Sequence, residues 1–280
     1  MIFNTQRRSS MLKTYVMGAL AALALVPMTG QTAPINLNDW TAESYDAVAG
    51  FGSGNWAVNG SGGESVYQSV NGQPTIFYSD FNAYGTDVTG SIKVSGSDDD
   101  YIGFVLGFNA GDSTNTFADY LLVDWKKSDQ YYNFGSPSTS PGSTAERGLA
   151  VSRVTGVPTA DEFWGHWDDA GHTGGAVTEL ARATNLSDTG WVVGTDYEFT
   201  FDFGPANLDI YVDGALEISV TGAFNNGAIG FYNFSQAAVT YDAFDLDTGS
   251  HPNPVPEPGS IALLALGLAG LGFSRKKKAS

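Results

Sequence analysis

Asp98, Asp99 and Asp100 stand in a row directly ahead of the run Tyr101-Ile102-Gly103-Phe104-Val105-Leu106-Gly107-Phe108. Clustered carboxylates in a loop are the chemistry of calcium, which takes roughly six to eight oxygen ligands from side chains and backbone carbonyls. In an extended chain neighbouring side chains point to opposite faces, so Asp98 and Asp100 are the pair that fits one ion unless the backbone turns there. A solvated acidic turn is the alternative for Asp98, Asp99 and Asp100. Asp168-Asp169 is a second and weaker candidate of the same kind. Catalytic chemistry has less to stand on: no G-x-S-x-G elbow and no H-E-x-x-H metal motif occurs, and the histidines are His166, His172 and His251. His166, between Trp164 and Trp167, reads as a packed or surface residue and not as a base. Scattered acids could still pair across a cleft as glycosidase carboxylates do. Trp164, Trp167 and Trp191 suit either sugar stacking or core packing.

The elements around these residues read as strands. Ile102, Phe104, Leu106 and Phe108 share one face of a strand, and Tyr101, Gly103, Val105 and Gly107 share the other. Both faces are apolar or small, so this strand belongs between two layers, and Tyr120 to Lys127 returns beside it as the second arm of a central hairpin. Asn55–Val58, Ser65–Val70, Thr75–Ser79, Val88–Ser95 and Gly148–Val154 are further strands. Tyr197, Phe199, Phe201 and Phe203 alternate with polar residues, the pattern of a strand with one dry face. Asp213-Gly214 between two alternating runs predicts a two-residue hairpin turn. Ile229–Phe234 and Val239–Leu246 complete the set. Gly50-Phe51-Gly52-Ser53-Gly54 opens no helix and reads as a loop. Ser136–Ser143 reads as a flexible surface segment, and Asp161–Asp169 has no period that places it. The expectation is an all-β sandwich over residues 34–250.

Composition bounds the function. Between Pro34 and Ser250 six basic residues face 29 acidic ones, a balance of 6 − 29 = −23. Such a surface repels nucleic acid and anionic headgroups, which excludes nucleic-acid partners. The chain has no Cys, so disulfides and thiolate chemistry are absent. Arg7, Arg8 and Lys13 precede the apolar run Val16–Val26 and small residues to Ala33, the plan of a signal peptide over residues 1–33. Arg7-Arg8 lacks the spacing of a twin-arginine signal. Residues 251–280 change character: Pro252, Pro254, Pro256 and Pro258 make a stiff linker, an uncharged run Ile261–Phe273 follows, and Arg275-Lys276-Lys277-Lys278 closes it. That run is shorter than the roughly 20 residues of a full span, yet flanking basic groups let a short helix reach across a thin membrane. The basic cluster would stay cytoplasmic and the acidic body outside.

Two resemblances extend this reading. The triplet Pro256-Glu257-Pro258, the short Leu/Ala/Gly helix and the basic end together resemble the PEP-CTERM sorting signal of exported bacterial proteins. The resemblance implies export, transient retention through a short transmembrane helix, processing by an exosortase, and delivery to the cell surface or an exopolysaccharide matrix. The body resembles the C-terminal, lectin-like domain of thrombospondins through Asp87–Ser91, Asp98–Asn109, Tyr120–Lys127, His172–Gly174, Thr189–Trp191, the hairpin at Asp213-Gly214 and Gly230–Gln236. That resemblance implies a concanavalin-A-like jelly roll that binds Ca2+, placed here at Asp98, Asp99 and Asp100, and that contacts extracellular polysaccharide or a surface protein. The calcium-loaded D-x-D-x-D-G repeats and the cysteines of the animal proteins are absent here. The expected function is a non-enzymatic, calcium-binding, lectin-like or adhesive module, with a glycan-cleaving enzyme on a similar sandwich as the alternative.

Overall fold

The computed structural model describes residues 33–85, 87–135, 141–166 and 175–247. Residues 1–32 of the expected signal peptide, Asp168-Asp169, Trp167, His172, His251 and the sorting tail lie outside them. Numbered along the chain, the first large sheet runs β12 (Val177–Arg182), β11 (Gly148–Thr155), β8 (Asp119–Lys126), β7 (Tyr101–Phe108), β16 (Ala228–Phe234), β5 (Thr75–Asn82) and β2 (Thr41–Ser44). The second runs β15 (Ala215–Thr221), β14 (Asn207–Val212), β13 (Asp196–Phe203), β6 (Asp87–Val94), β17 (Val239–Asp242), β4 (Ser65–Gln68) and β3 (Trp56–Asn59). On this second sheet β18 (Asp245–Asp247) also pairs with β6, and β1 (Ala33–Pro34) pairs with β18. A short ribbon of β9 (Gln130–Tyr132) and β10 (Ser143–Ala145) stands apart. Neighbouring strands are antiparallel throughout both sheets, including pairs far apart in the chain such as β7 with β16 and β6 with β13.

Alternation decides which side chains fill the space between the sheets. Phe104, facing inward from β7, meets Phe199 and Phe201 of β13 at 4.9 and 4.8 Å between ring centroids. Trp125 of β8 packs on Tyr197 at 4.6 Å. Each fully buried Phe or Leu contributes about 1.5–3 kcal/mol, so this inner layer supplies most of the driving force. The hairpin at Asp213-Gly214 has the positive φ values, 50° and 78°, that a tight strand-matched turn needs.

The outer face of the first sheet is also dry, which explains why β7 is apolar on both sides. Tyr101, Val105, Tyr120, Leu122, Tyr232 and Phe234 form a second core under Phe163 and Trp164. Those two belong to a short helix, α1 (Ala160–Gly165), in the stretch where the sequence shows no period. The signal was there in another form: Thr159-x-x-Glu162 is a capping box, with the Thr159 hydroxyl accepting from the Glu162 N–H and the Glu162 carboxylate accepting from the Thr159 N–H.

Other expectations are corrected by the ladder. Ser143 opens β10 with its side chain buried, donating to the Asp161 carbonyl at 2.8 Å, so the Ser/Pro-rich segment ends in a packed strand. Val239–Leu246 is two strands, broken at Ala243-Phe244 where Phe244 turns into the core. The strands β2, β9, β10 and β12 carry too little alternation to be read in advance.

Candidate functional site

Three groups of charged side chains lie at one end and edge of the first sheet. The first is the acidic turn. Ligand oxygens of Asp98, Asp99 and Asp100 do lie within 4.8 Å of one another, all three acids together and not only the Asp98–Asp100 pair. Backbone contacts fix the turn: the Trp191 indole donates to the Asp100 carbonyl at 3.0 Å, and the Asp100 N–H donates to Gln236 Oε1 at 3.1 Å. Sequence reasoning expected a metal to relieve their repulsion because no basic residue adjoins them in the chain. The hairpin register supplies one from 26 positions away: Lys126 Nζ donates to Asp100 Oδ1 at 2.7 Å. The same ammonium reaches the Asp99 carbonyl at 2.8 Å, Gln130 Oε1 at 3.0 Å and Asp99 Oδ1 at 3.5 Å. It sits 4.8 Å from the Trp164 ring centre and is fully buried. Burial pushes the Asp100 carboxyl up, and Lys126 partly offsets this. Asp98 is engaged too, accepting from Asn71 Nδ2 at 2.5 Å and from the Asp99 N–H at 3.0 Å.

One step inward on the same face of β8, Asp124 starts the second group. Its Oδ2 meets His166 Nε2 at 2.8 Å, and His166 Nδ1 meets Glu179 Oε2 at 3.3 Å. Glu179 in turn accepts from Arg182 Nε at 2.8 Å and Nη2 at 2.7 Å, a bidentate pair. Glu179 and Arg182 are three residues apart and would face opposite ways on a regular strand. A register shift at Val151/Ser152 leaves Leu180 as an extra residue on β12 and brings both side chains to the outer face. His166 is placed by the end of α1, where it adopts φ 47°. Burial alone would lower the His166 pKa, but the carboxylates of Asp124 and Glu179 outweigh it and carry the ring up to about 9. Burial raises the Asp124 carboxyl, with His166 acting against it. Burial would likewise raise Glu179, yet His166 and Arg182 hold it below the ordinary value. Asp124 Oδ1 is buried without a hydrogen-bond partner among the described residues.

Arg182 carries this chain of charges to the surface, where it lines a cleft of about 460 Å³ with Asp129, Thr144, Glu146, Arg147, Ser187 and Asp188. Arg147 Nη2 spans to Asp188 Oδ2 at 2.8 Å, and Arg182 Nη2 lies 3.4 Å from Glu146 Oε2. Tyr131 pairs with Thr144 across the ribbon and therefore shares a face with that lining residue. Its ring is 63% exposed, a flat apolar surface beside polar groups. None of these cleft residues was singled out from the sequence, because isolated charges in loops carry no period. Trp164 and Trp191, by contrast, are 2% and 1% exposed and belong to the cores, which removes them as sugar platforms.

Fold and site together define an all-β sandwich of two large antiparallel sheets with a polar cleft at one sheet edge. A family model of the thrombospondin C-terminal region matches residues 52–248, and the chain belongs to that family. A second model, of the PEP-CTERM protein-sorting motif, matches residues 254–276, which marks an exported, surface-directed protein. No curated protein matches the chain by sequence. Solved structures with similar folds include the carbohydrate-binding module CBM66 from Bacillus subtilis, 13% identical, with 71% of this chain and 94% of that one covered at a TM-score of 0.43. A Bacillus subtilis protein of unknown function with a galectin-like fold is 9% identical over 78% of this chain and 98% of that one, TM-score 0.46. The exoplasmic/lumenal domain of VIP36 in its Ca2+/Man2-bound form is 12% identical over 78% and 85%, TM-score 0.45. Among the described residues no helix is long and apolar enough to cross a membrane.

Proposed function

We propose that the chain is an exported bacterial surface protein whose sandwich is a non-catalytic carbohydrate-binding module, adhesive through the cleft at the edge of β12. The cleft carries this reading. It sets paired guanidinium and carboxylate groups and two hydroxyls around one concave surface, with exposed Tyr131 next to the lining residue Thr144 on the same face of the ribbon, which is the mixture that sugar hydroxyls and sugar faces require. Glycan cleavage, which needs two carboxyl groups free to act across a cleft, is not part of the proposal, because the cleft acids Glu146 and Asp188 are already paired with Arg182 and Arg147. In the same reading an exosortase processes the tail at Pro256-Glu257-Pro258 after Ile261–Phe273 has held the precursor in the membrane, and the body is delivered to the surface or its polysaccharide matrix.

The experiment is a panel of neutral, amino-sugar and uronate polysaccharides, each incubated with the purified protein and assayed for retention and for new reducing or unsaturated ends. Retention by at least one polymer without product supports the module. Product formation would make the protein a glycan-cleaving enzyme. Mass spectrometry of surface-localised protein should find a C-terminus close to Pro256-Glu257-Pro258, and recovery of intact Arg275–Ser280 would reduce the tail to a plain anchor.

A further inference from the structure

The calcium that the family resemblance implies meets a difficulty in the acidic turn, and the difficulty is informative. We propose that in this chain the Lys126 ammonium is the resident cation of the Asp98–Asp100 turn, and that a divalent-cation site appears there only when that ammonium is removed.

Four oxygens from three residues converge on one point: Asp100 Oδ1, the Asp99 carbonyl, Gln130 Oε1 and Asp99 Oδ1. Carboxylate, backbone carbonyl and amide oxygen are the same mixture that calcium loops use. The spacing is that of an ammonium, however. The three shortest contacts are 2.7, 2.8 and 3.0 Å, whereas Ca2+ draws its oxygens to roughly 2.3–2.6 Å. The faces of Trp164 and Tyr101, 4.8 and 5.9 Å from Nζ, complete the cage on its apolar side, which favours a cation carried on a hydrocarbon stem over a hydrated metal.

A metal seated further out fares no better. Asp98 already accepts from Asn71 and from the Asp99 N–H. A second ammonium, Lys127 Nζ, lies 3.5 Å from the Asp98 carbonyl and over the Trp191 ring. Three carboxylates thus face two lysines, a local balance of −3 + 2 = −1, and a divalent ion would meet like charges at close range. The lysine is held by register: Ile102 pairs with Trp125 in the hairpin, which sets Lys126 beside Tyr101 at the strand end where the acidic turn begins. Thus the same hairpin that builds the core also delivers the counterion.

The test compares thermal unfolding of the wild-type protein and of Lys126→Gln, each in excess chelator, in calcium, and in salt of matched ionic strength. Elemental analysis of the wild type as purified accompanies it. The wild type is expected to carry no stoichiometric calcium and to melt at the same temperature in chelator and in calcium. Lys126→Gln keeps the oxygen cage and frees its centre. Its midpoint is expected to rise by roughly 5–10 °C when calcium stands a hundredfold above Kd. That rise should vanish on adding Asp99→Asn. One calcium per wild-type chain that is lost on Asp99→Asn, or a wild-type midpoint that falls in chelator and returns with calcium but does neither in Asp99→Asn, overturns the proposal. A folded Lys126→Gln variant no more responsive to calcium than the wild type overturns its second half. Should that variant not fold, the wild-type ion content and chelator response still decide the first.

Discussion

Lys126 and Asp124 are two residues apart on the same face of β8, both fully buried, and they anchor charge clusters of different character. Around Lys126 three shorter hydrogen bonds and one longer contact surround the cation, and the cluster ends in the protein. Around Asp124 one oxygen is matched by His166 and the other has no partner among the described residues, and the chain of charges continues through Glu179 and Arg182 to an open cleft. Buried charge held by several hydrogen bonds fixes a structure, because any partner removed leaves its mate stranded. Charge that runs to a surface and ends on a guanidinium 29% exposed at the rim of a cleft lies where a ligand can meet it. On the two proposals above, the carboxylates most prominent in the sequence belong to the scaffold, and inconspicuous loop residues form the better binding surface.

The largest effect should come from breaking the closed cluster. Lys126→Ala strands the buried Asp100 carboxylate and should cost about 3–5 kcal/mol in chemical denaturation, while leaving any glycan affinity of the folded protein unchanged. A loss below about 1 kcal/mol would mean that Lys126 is not the counterion. The His166 pair comes next. Its folded pKa near 9 lies above the unfolded value of roughly 6.5. Its stabilisation is therefore complete below about pH 6.5 and is lost as pH rises through about 9, a total on the order of 3 kcal/mol. Denaturation midpoints measured from pH 6 to 10 should show this alkaline decline, and His166→Gln should flatten it.

Glu179→Gln weakens the bidentate hold on Arg182. It should cost about 1.5–3 kcal/mol of stability and also lower polysaccharide affinity, which separates it from Lys126→Ala. Isothermal titration with a retained polysaccharide checks the second part. The smallest effect is Thr159→Ala, which removes the cap of α1 for about 1 kcal/mol and should leave the cleft's affinity intact. A thermal scan and the same titration would show whether α1 is only a cover for the second core.

Much of the sandwich was legible because burial imposes a period of two. Phe199, Phe201 and Phe203 announce β13, the two apolar faces of Tyr101–Phe108 announce a strand between layers, and Asp213-Gly214 announces its turn. β12 was hidden for a physical reason: the bulge at Leu180 breaks the alternation, and the same bulge puts Glu179 and Arg182 on one face. α1 was hidden by its length of one and a half turns or so, too short for a helical period, although its capping box was in plain view. The Asp98–Asp100 cluster was found as a cluster, but its partner was not. Lys126 comes near only through the hairpin register, and the polar loop between the strands leaves that register open to sequence reasoning. The cleft had no signal at all, since Asp129, Glu146, Arg147 and Asp188 sit in short irregular segments, and Thr144 in a three-residue strand, that only the fold brings together.

The most direct measurement is affinity electrophoresis of the purified wild type against Tyr131→Ala and Glu146→Ala, singly and combined, in gels cast with a polysaccharide that retains the wild type. Both side chains are exposed, so their removal should leave the melting temperature within about 1–2 °C of the wild type. The account predicts that each single change weakens retention about tenfold or less, in keeping with a lost stacking or hydrogen-bonding contact, and that the pair abolishes it. Undiminished retention in the folded double variant would contradict the cleft as the binding surface.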